Sequence, residues 1–218
     1  MQKGKKFFNI IIIITTIALI SVIGYLAYYY ISNYIALKEA EKAVDEFENE
    51  VIVVAIEDEE NKQNEVQDEQ TPQTNQGTTN KTTSKVSYKG YSMIGTIQIP
   101  KTKVKAPIVD KVTTSSITSA AAVLYGPGLN EVGNTVIVAH NYRNGTFFSN
   151  NKKLVVGDKV YITDITGRKI EYTIYKTYLA NETEFDYATR NTNGKREISL
   201  STCTTDPTKR LVIWAKES

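Results

Sequence analysis

An apolar run near the N-terminus is the strongest pattern in the chain. Residues 7–30 carry no charged side chain and are mainly apolar. About 20 apolar residues in a helix are enough to span a bilayer, so the run predicts a transmembrane signal anchor over residues 7–31. A cleaved signal peptide fits less well, because its apolar section is usually about 7–15 residues long and ends at a small-x-small cleavage site. A fully buried helix of a soluble protein is the weaker alternative.

The charges around this run predict its orientation. Residues 1–6 contain three lysines, and positively charged flanks tend to remain on the cytoplasmic side of a membrane. We therefore expect a cytoplasmic tail over residues 1–6 and an extracellular location for everything after the anchor.

Two segments with different patterns follow the anchor. Residues 32–56 place apolar side chains at helical spacing, which predicts an amphipathic juxtamembrane helix. Its apolar stripe is consistent with a stalk, with packing on the following domain or with pairing to another chain, and the stalk is the preferred interpretation. Residues 57–87 have almost no apolar side chains. Such a segment buries too little surface to offset the entropy lost on ordering, so it predicts a flexible polar linker.

Short strand-like runs fill the remainder, residues 88–218. Apolar and β-branched residues alternate with polar ones, and glycine, proline and asparagine separate the runs, which leaves little room for helices. This pattern predicts an all-β barrel or sandwich of about 130 residues, large enough for its own core. The clearest runs cover residues 93–99, 104–109, 134–140, 155–163, 169–178, 197–203 and 211–215.

The composition of the chain argues against several kinds of functional site. The chain has 218 residues, a net charge of +2, one cysteine and one histidine. A single cysteine excludes an intramolecular disulfide, and one cysteine with one histidine argues against a zinc site. The lysines are scattered and no stacking platform accompanies them, which argues against nucleic-acid binding. We expect no metal and no cofactor.

Three side chains lie at predicted strand ends and together suggest catalysis. Cys203 ends one strand, Arg210 begins the next, and His140 closes the run over residues 134–140. A thiolate attacks carbonyls, a histidine exchanges protons near neutral pH, and an arginine stays charged and can bind an oxyanion. Each residue taken alone is more often structural, and it is their joint occurrence that favours a nucleophilic site.

These residues resemble the sortase family of Gram-positive surface transpeptidases. Ser199-Leu-Ser-Thr-Cys203 resembles the TLxTC signature of the family, and Arg210 and His140 match its arginine and histidine. The resemblance implies an eight-stranded sortase-type β-barrel with short helices over residues 88–218. It also implies that Cys203 cleaves an LPxTG-like sorting motif of secreted proteins through a thioacyl intermediate, which a peptidoglycan precursor or another amine then resolves. His140 would move protons, Arg210 would hold the oxyanion, and Thr202 would support the oxyanion or the substrate.

The resemblance leaves several points open. An A-like or D-like class is favoured because no second apolar segment follows the last strand, and a B-like class is not excluded. Glu182, Glu184 and Asp186 could bind calcium as some A-class loops do, although acidic residues in a polar loop are usually solvated. An extracellular cysteine peptidase and a non-catalytic tethered binding domain are the alternative functions.

Overall fold

The computed structural model describes residues 2–65 and 86–218. Within these residues the chain divides into two compact units, Met1–Glu39 and Ala40–Ser218. A long helix, α1, runs over Gln2–Glu65 and enters both units. Its stretch Phe7–Val53 has a mean hydropathy of 2.6 in its most apolar window and is long and apolar enough to cross a membrane. The N-terminal apolar helix predicted for residues 7–31 lies inside this stretch.

The second unit is built on a closed β-barrel, as the sequence predicted. Eight strands follow one another around it in the order β2-β3-β4-β5-β8-β9-β7-β6, and β6 pairs back onto β2 to close the circle. A two-residue strand, β1 (Ser87–Tyr88), adds to the edge of β2. The barrel strands are β2 (Tyr91–Ile99), β3 (Val104–Val109), β4 (Ala121–Tyr125), β5 (Gly133–Val138), β6 (Lys159–Asp164), β7 (Lys169–Asn181), β8 (Arg196–Cys203) and β9 (Lys209–Glu217).

Alternation along the strands fills the barrel. Ile198 and Leu200 of β8 are buried with Ile213 of β9 in the main core, whereas Ser199 lies outside that core and is buried on the other face of the strand, where its hydroxyl donates to Asn134. Inward and outward positions alternate because successive side chains of a strand point to opposite faces. The helical segments that connect the strands are short: α2 (Thr114–Ile117), α3 (Asp186–Thr189) and two 3-10 segments, η1 (Pro100–Thr102) and η2 (Phe147–Lys153).

The apolar stripe of α1 packs on the barrel instead of standing free as a stalk. Phe47 and Val44 are fully buried, and they share a cluster with Met93, Val109 and Ala122 from the strands. The remaining members of the stripe are Ala40, Ala43 and Val51. Their spacing of three or four residues places them on one helical face, which is why the same stripe was visible in the sequence.

Polar contacts complete this helix–barrel interface. The Glu48 carboxylate accepts hydrogen bonds from Thr96 Oγ1 at 2.8 Å and from Gln98 Nε2 at 2.9 Å. Asp45 forms an ion pair with Lys105. The carboxylate of Glu48 matters most, because Thr96 is fully buried and this carboxylate is the acceptor of its hydroxyl hydrogen bond.

The observed boundaries differ from the predicted ones at the N-terminal side of the barrel. The compact unit includes α1 from Ala40 onward, whereas the sequence placed the domain start at residue 88. Helix α1 also extends through residues 57–65, which were predicted as the beginning of the linker. Residues 66–85, the main part of that predicted linker, lie outside the described residues.

A buried ion pair holds the connection between β7 and β8 on the outer face of the barrel. Arg190 forms an ion pair with Glu197 of β8, and each side chain is only 10% exposed. Tyr175 also donates to Glu197 at 2.5 Å, and the guanidinium lies 4.5 Å from the ring centre of Trp214. These contacts fix the segment that leads from β7, past α3, to the strand that carries Cys203.

Candidate active site

The register of β8 and β9 places Cys203 directly beside Arg210. Cys203 is the last residue of β8, its side chain is exposed, and its Cα partner across the antiparallel pair is Arg210. The five residues between the two strands, 204–208, form a compact turn. Asp206 stabilises it by accepting hydrogen bonds from the Thr208 amide at 2.9 Å and from the Thr208 hydroxyl at 2.7 Å. The short interval between cysteine and arginine therefore suits a tight hairpin.

The parallel pairing of β5 with β8 brings His140 to the same edge of the barrel. Val138 is the Cα partner of Ser201, so the residues that follow both strands emerge side by side. Two hydrogen bonds continue this alignment past the last strand pair. The Thr202 hydroxyl donates to the Ala139 carbonyl at 2.7 Å, and Asn141 Nδ2 donates to the Cys203 carbonyl at 2.9 Å. His140 is thus held between two residues that are each bonded to the end of β8.

His140 is partly buried against an aromatic neighbour. Its ring centre lies 5.0 Å from that of Tyr142, and its carbonyl accepts the Phe148 amide at 3.2 Å. Burial lowers the pKa of His140 below its ordinary value of 6.5. Desolvation disfavours the charged imidazolium, so the ring is mainly neutral at pH 7 and can accept a proton.

Thr202 and Arg210 use their polar groups in contacts within the protein. Thr202 is buried and its hydroxyl is bonded to Ala139, so its side chain fixes the strand pair. The Arg210 guanidinium donates to the Pro207 carbonyl at 2.7 Å and lies 3.4 Å from a carboxylate oxygen of Glu182. The structure therefore brings the backbones of Cys203 and Arg210 together, while these contacts hold the guanidinium at the turn.

A cavity of about 350 Å³ opens beside the thiol. One wall comes from the ends of β7, β8 and β9 with the turn after Cys203, and the opposite wall comes from the connection between β5 and β6. Leu179, Leu211 and Phe148 give it apolar surface, and Thr202 and Cys203 lie at the strand end. The other lining residues are Asn141, Arg143, Ser149, Asn150, Lys152, Thr204 and Thr205.

Two of the three acidic residues considered as calcium ligands, Glu182 and Glu184, have contacts within the protein. Glu182 faces Arg210, and the Glu184 carboxylate accepts the Asn181 amide at 2.9 Å. Asp186 is the first residue of α3. In the two described ranges of the chain, no group of three or more His, Cys, Asp or Glu side chains is arranged to hold a metal ion.

Sequence reasoning missed the contribution of the β5–β6 connection. Asn141 binds the Cys203 carbonyl, and η2 supplies Ser149 and Lys152 to the cavity. The run Asn141-Tyr-Arg143 directly after the histidine was a usable signal, because polar residues at a strand end are well placed to bond the neighbouring strand end.

Comparison with known proteins agrees with the fold described above. A model of the Sortase domain family matches residues 97–218. No curated protein matches the chain. The fold is similar to that of a lid mutant of sortase A from Corynebacterium diphtheriae, with a TM-score of 0.54 and 25% identity, covering 59% of this chain and 71% of that one.

Two further solved structures support the same likeness. Sortase A from Corynebacterium diphtheriae gives a TM-score of 0.54 and 25% identity, and the match covers 59% of this chain and 61% of that chain. The pilus-related sortase C of Group B Streptococcus is 31% identical with a TM-score of 0.53, and the match covers 58% of this chain and 67% of that one. Since the family model spans more than half of the sequence and its fold is the barrel described above, the chain belongs to the sortase family.

Proposed function

We propose that this chain is a membrane-anchored cysteine transpeptidase that cleaves an LPxTG-like sorting motif and transfers the cleaved protein to an amine. Membership of the sortase family implies a transpeptidase for surface proteins. The observation that carries the assignment to particular residues is the exposed Cys203 thiol, with Arg210 as its cross-strand partner and His140 at the end of the parallel neighbouring strand.

The first half-reaction forms a thioacyl enzyme. His140 accepts the proton of the Cys203 thiol, and the sulfur attacks the threonine carbonyl of the motif. A carbon–sulfur bond forms, the peptide carbon–nitrogen bond breaks, and His140 returns the proton to the leaving amine. Arg210 stabilises the tetrahedral oxyanion once substrate displaces its present contacts at the turn. The Thr202 hydroxyl is bonded to Ala139. The backbone of Thr202, and not its hydroxyl, therefore supports the oxyanion or the substrate.

The second half-reaction exchanges the thioester for an amide. An amine of a peptidoglycan precursor or of another protein attacks the thioester carbon, and His140 removes a proton from the attacking nitrogen. The carbon–sulfur bond breaks and the proton returns to the Cys203 sulfur. The neutral state favoured by the lowered pKa of His140 suits this proton acceptance. No cofactor takes part in either step.

The anchor determines where the reaction takes place. We propose that the apolar stretch within Phe7–Val53 crosses the cell membrane once, with residues 1–6 in the cytoplasm and the barrel outside a Gram-positive cell. Secreted proteins that carry the motif and the amine acceptors of the cell wall are then the partners. A-like or D-like specificity remains our proposal for the class. An epitope tag at either end, tested for protease protection in intact cells, checks the topology.

The decisive experiment is product analysis with the full chain in detergent micelles or vesicles. The chain is mixed with a panel of LPxTG-like peptides, with and without triglycine, and the products are followed by mass spectrometry. We expect a transfer product that requires the amine and disappears in Cys203→Ala. Cleavage without any transfer across several amines would instead indicate a cysteine peptidase.

Variants test the other two roles. His140→Ala and Arg210→Ala should each lower turnover at least about 100-fold, the range for loss of a proton-transfer group or an oxyanion donor. Lys209→Ala is the matched control for Arg210, since it removes the adjacent cation, whose ammonium group contacts Asn181. Circular dichroism establishes that each variant is folded. Full activity of either catalytic variant would contradict its assigned role.

A further inference from the structure

The cavity beside Cys203 carries positive charge only. Arg143 and Lys152 are its two charged lining residues, and both are exposed. The nearby carboxylates of Glu182 and Glu184 face Arg210 and Asn181 instead. Among the described residues, no ion pair involves Arg143 or Lys152. The opening next to the thiol therefore presents two cationic groups that are available to a ligand.

Hydrogen bonds hold the backbone segments that carry both cations close to the ends of β5 and β8. Asn141 uses its two amide atoms as a bridge: Nδ2 donates to the Cys203 carbonyl at 2.9 Å, while Oδ1 accepts the Arg143 amide at 3.1 Å. Lys152 lies on η2, whose Phe148 amide donates to the His140 carbonyl at 3.2 Å. The backbone that carries each cation is thus held near one member of the proposed catalytic pair.

One buried hydroxyl at the wall of the same cavity is free to form a hydrogen bond. Ser149 lines the cavity and is 5% exposed, and its Oγ has no hydrogen-bond partner in the part of the chain that the structure describes. Buried hydroxyl groups are nearly always paired, so an unpaired one at a cavity wall is suited to a ligand that supplies an acceptor. A carboxylate or a peptide carbonyl supplies one.

We propose that this cavity selects sorting peptides that carry an acidic side chain within or beside the motif, through Arg143 and Lys152. The proposal rests on the proposed transpeptidase function and specifies that the sorting peptide carries a negative charge. Two cations without described carboxylate partners attract an anionic peptide, and they repel a peptide with lysine at the same position.

Binding and turnover are measured separately so that the two proposals can fail independently. The full chain with Cys203→Ala, in detergent micelles, is titrated with fluorescent LPxTG-like peptides that differ by a single Gln-to-Glu exchange at the variable position or at one flanking position. The active chain is assayed with the same pairs for kcat/KM. At one position or more, we expect the Glu peptide to bind about fivefold tighter, the upper range for one exposed ion pair. The ratio should fall towards one in 1 M salt, where charges are screened within about 3 Å.

Matched variants identify the source of the preference. The double variant Arg143→Gln/Lys152→Gln should lose the preference for Glu. Lys153→Gln should retain it, because Lys153 is the exposed neighbour of Lys152 and does not line the cavity. Equal binding of every Gln/Glu pair, or an unchanged ratio in the double variant, overturns the proposal. Acid preference in binding without any turnover would support the charge selection and contradict the transpeptidase.

The acceptor is the other peptide that enters this site. Transfer is therefore also compared between triglycine and an amine acceptor that bears a neighbouring carboxylate. If the acidic acceptor is preferred over triglycine while the Gln and Glu sorting peptides behave alike, the assignment of the two cations to the sorting peptide is overturned.

Discussion

Phe47 tests whether the juxtamembrane helix is part of the folded catalytic domain. Its side chain is fully buried in the cluster that joins α1 to the barrel. Truncating a buried phenylalanine to alanine costs about 3–5 kcal/mol, because transfer free energy is lost and a cavity remains. For a unit of this size, about 1 kcal/mol corresponds to a Tm change of about 2–4 °C. Phe47→Ala should therefore lower the Tm by about 6–20 °C.

The assay uses a soluble fragment of residues 33–218, which contains the compact unit Ala40–Ser218. Thermal unfolding, for the Tm, and urea unfolding, for the free energy, are each followed by circular dichroism and by the fluorescence of Trp214, the only tryptophan in the chain. Ile52→Ala is the matched control: it lies five residues further along the same helix and is 53% exposed. Its unfolding free energy should change by less than about 0.5 kcal/mol.

The same fragment distinguishes a shared cooperative unit from a loosely attached helix. If α1 belongs to the barrel's cooperative unit, the unfolding transitions seen by circular dichroism and by Trp214 fluorescence should shift together to lower urea concentration in Phe47→Ala. An unchanged Trp214 transition accompanied by early loss of helical signal would mean that the helix detaches locally. That result, or equal stability of the two variants, would refute the reasoning from burial. A fragment of residues 88–218 should in either case expose apolar surface and bind a hydrophobic dye.

The remaining predictions concern polar groups. Glu48→Ala should destabilise the domain by about 1–3 kcal/mol in urea unfolding, because it leaves buried hydroxyl groups of the barrel without an acceptor; Glu50→Ala, at an exposed position, is its control. Glu197→Gln should cost about 3–5 kcal/mol because it breaks a pair whose side chains are 10% exposed, whereas Glu217→Gln, with a 41% exposed carboxylate, should cost less than about 1 kcal/mol. The only histidine gives one assignable set of imidazole NMR signals, and the pKa of His140 should lie below 6.5 because burial disfavours the charged ring. Since folding lowers this pKa, the unfolded chain binds more protons between the two values, and the contribution of His140 to stability should decrease as pH falls through 6.5. An NMR midpoint above 6.5 would contradict the burial argument.

Local patterns of the sequence predicted an all-β barrel or sandwich, and the resemblance to sortases implied the eight-stranded barrel that is observed. Period-2 alternation identified β8, and the Asp206-Pro207 turn indicated that β9 follows antiparallel to it. This pairing involves neighbours in sequence, so turn chemistry specifies it. The helical stripe through Phe47 was also visible. Its partner was not, because periodicity shows that a face is buried and does not identify what covers it.

The position of His140 depended on a pairing that local patterns cannot specify. β5 and β8 are separated by two other strands and a long connection, and a parallel pair needs such a crossover. Its register has to be correct to one residue, since a single-residue slip would turn every side chain of β8 to the opposite face. The buried hydrogen bond from Thr202 to the Ala139 carbonyl forms only in the observed register. The hydroxyl of Thr202, a residue that the resemblance assigned to support of the oxyanion or the substrate, thus aligns the ends of β5 and β8, where His140 and Cys203 lie.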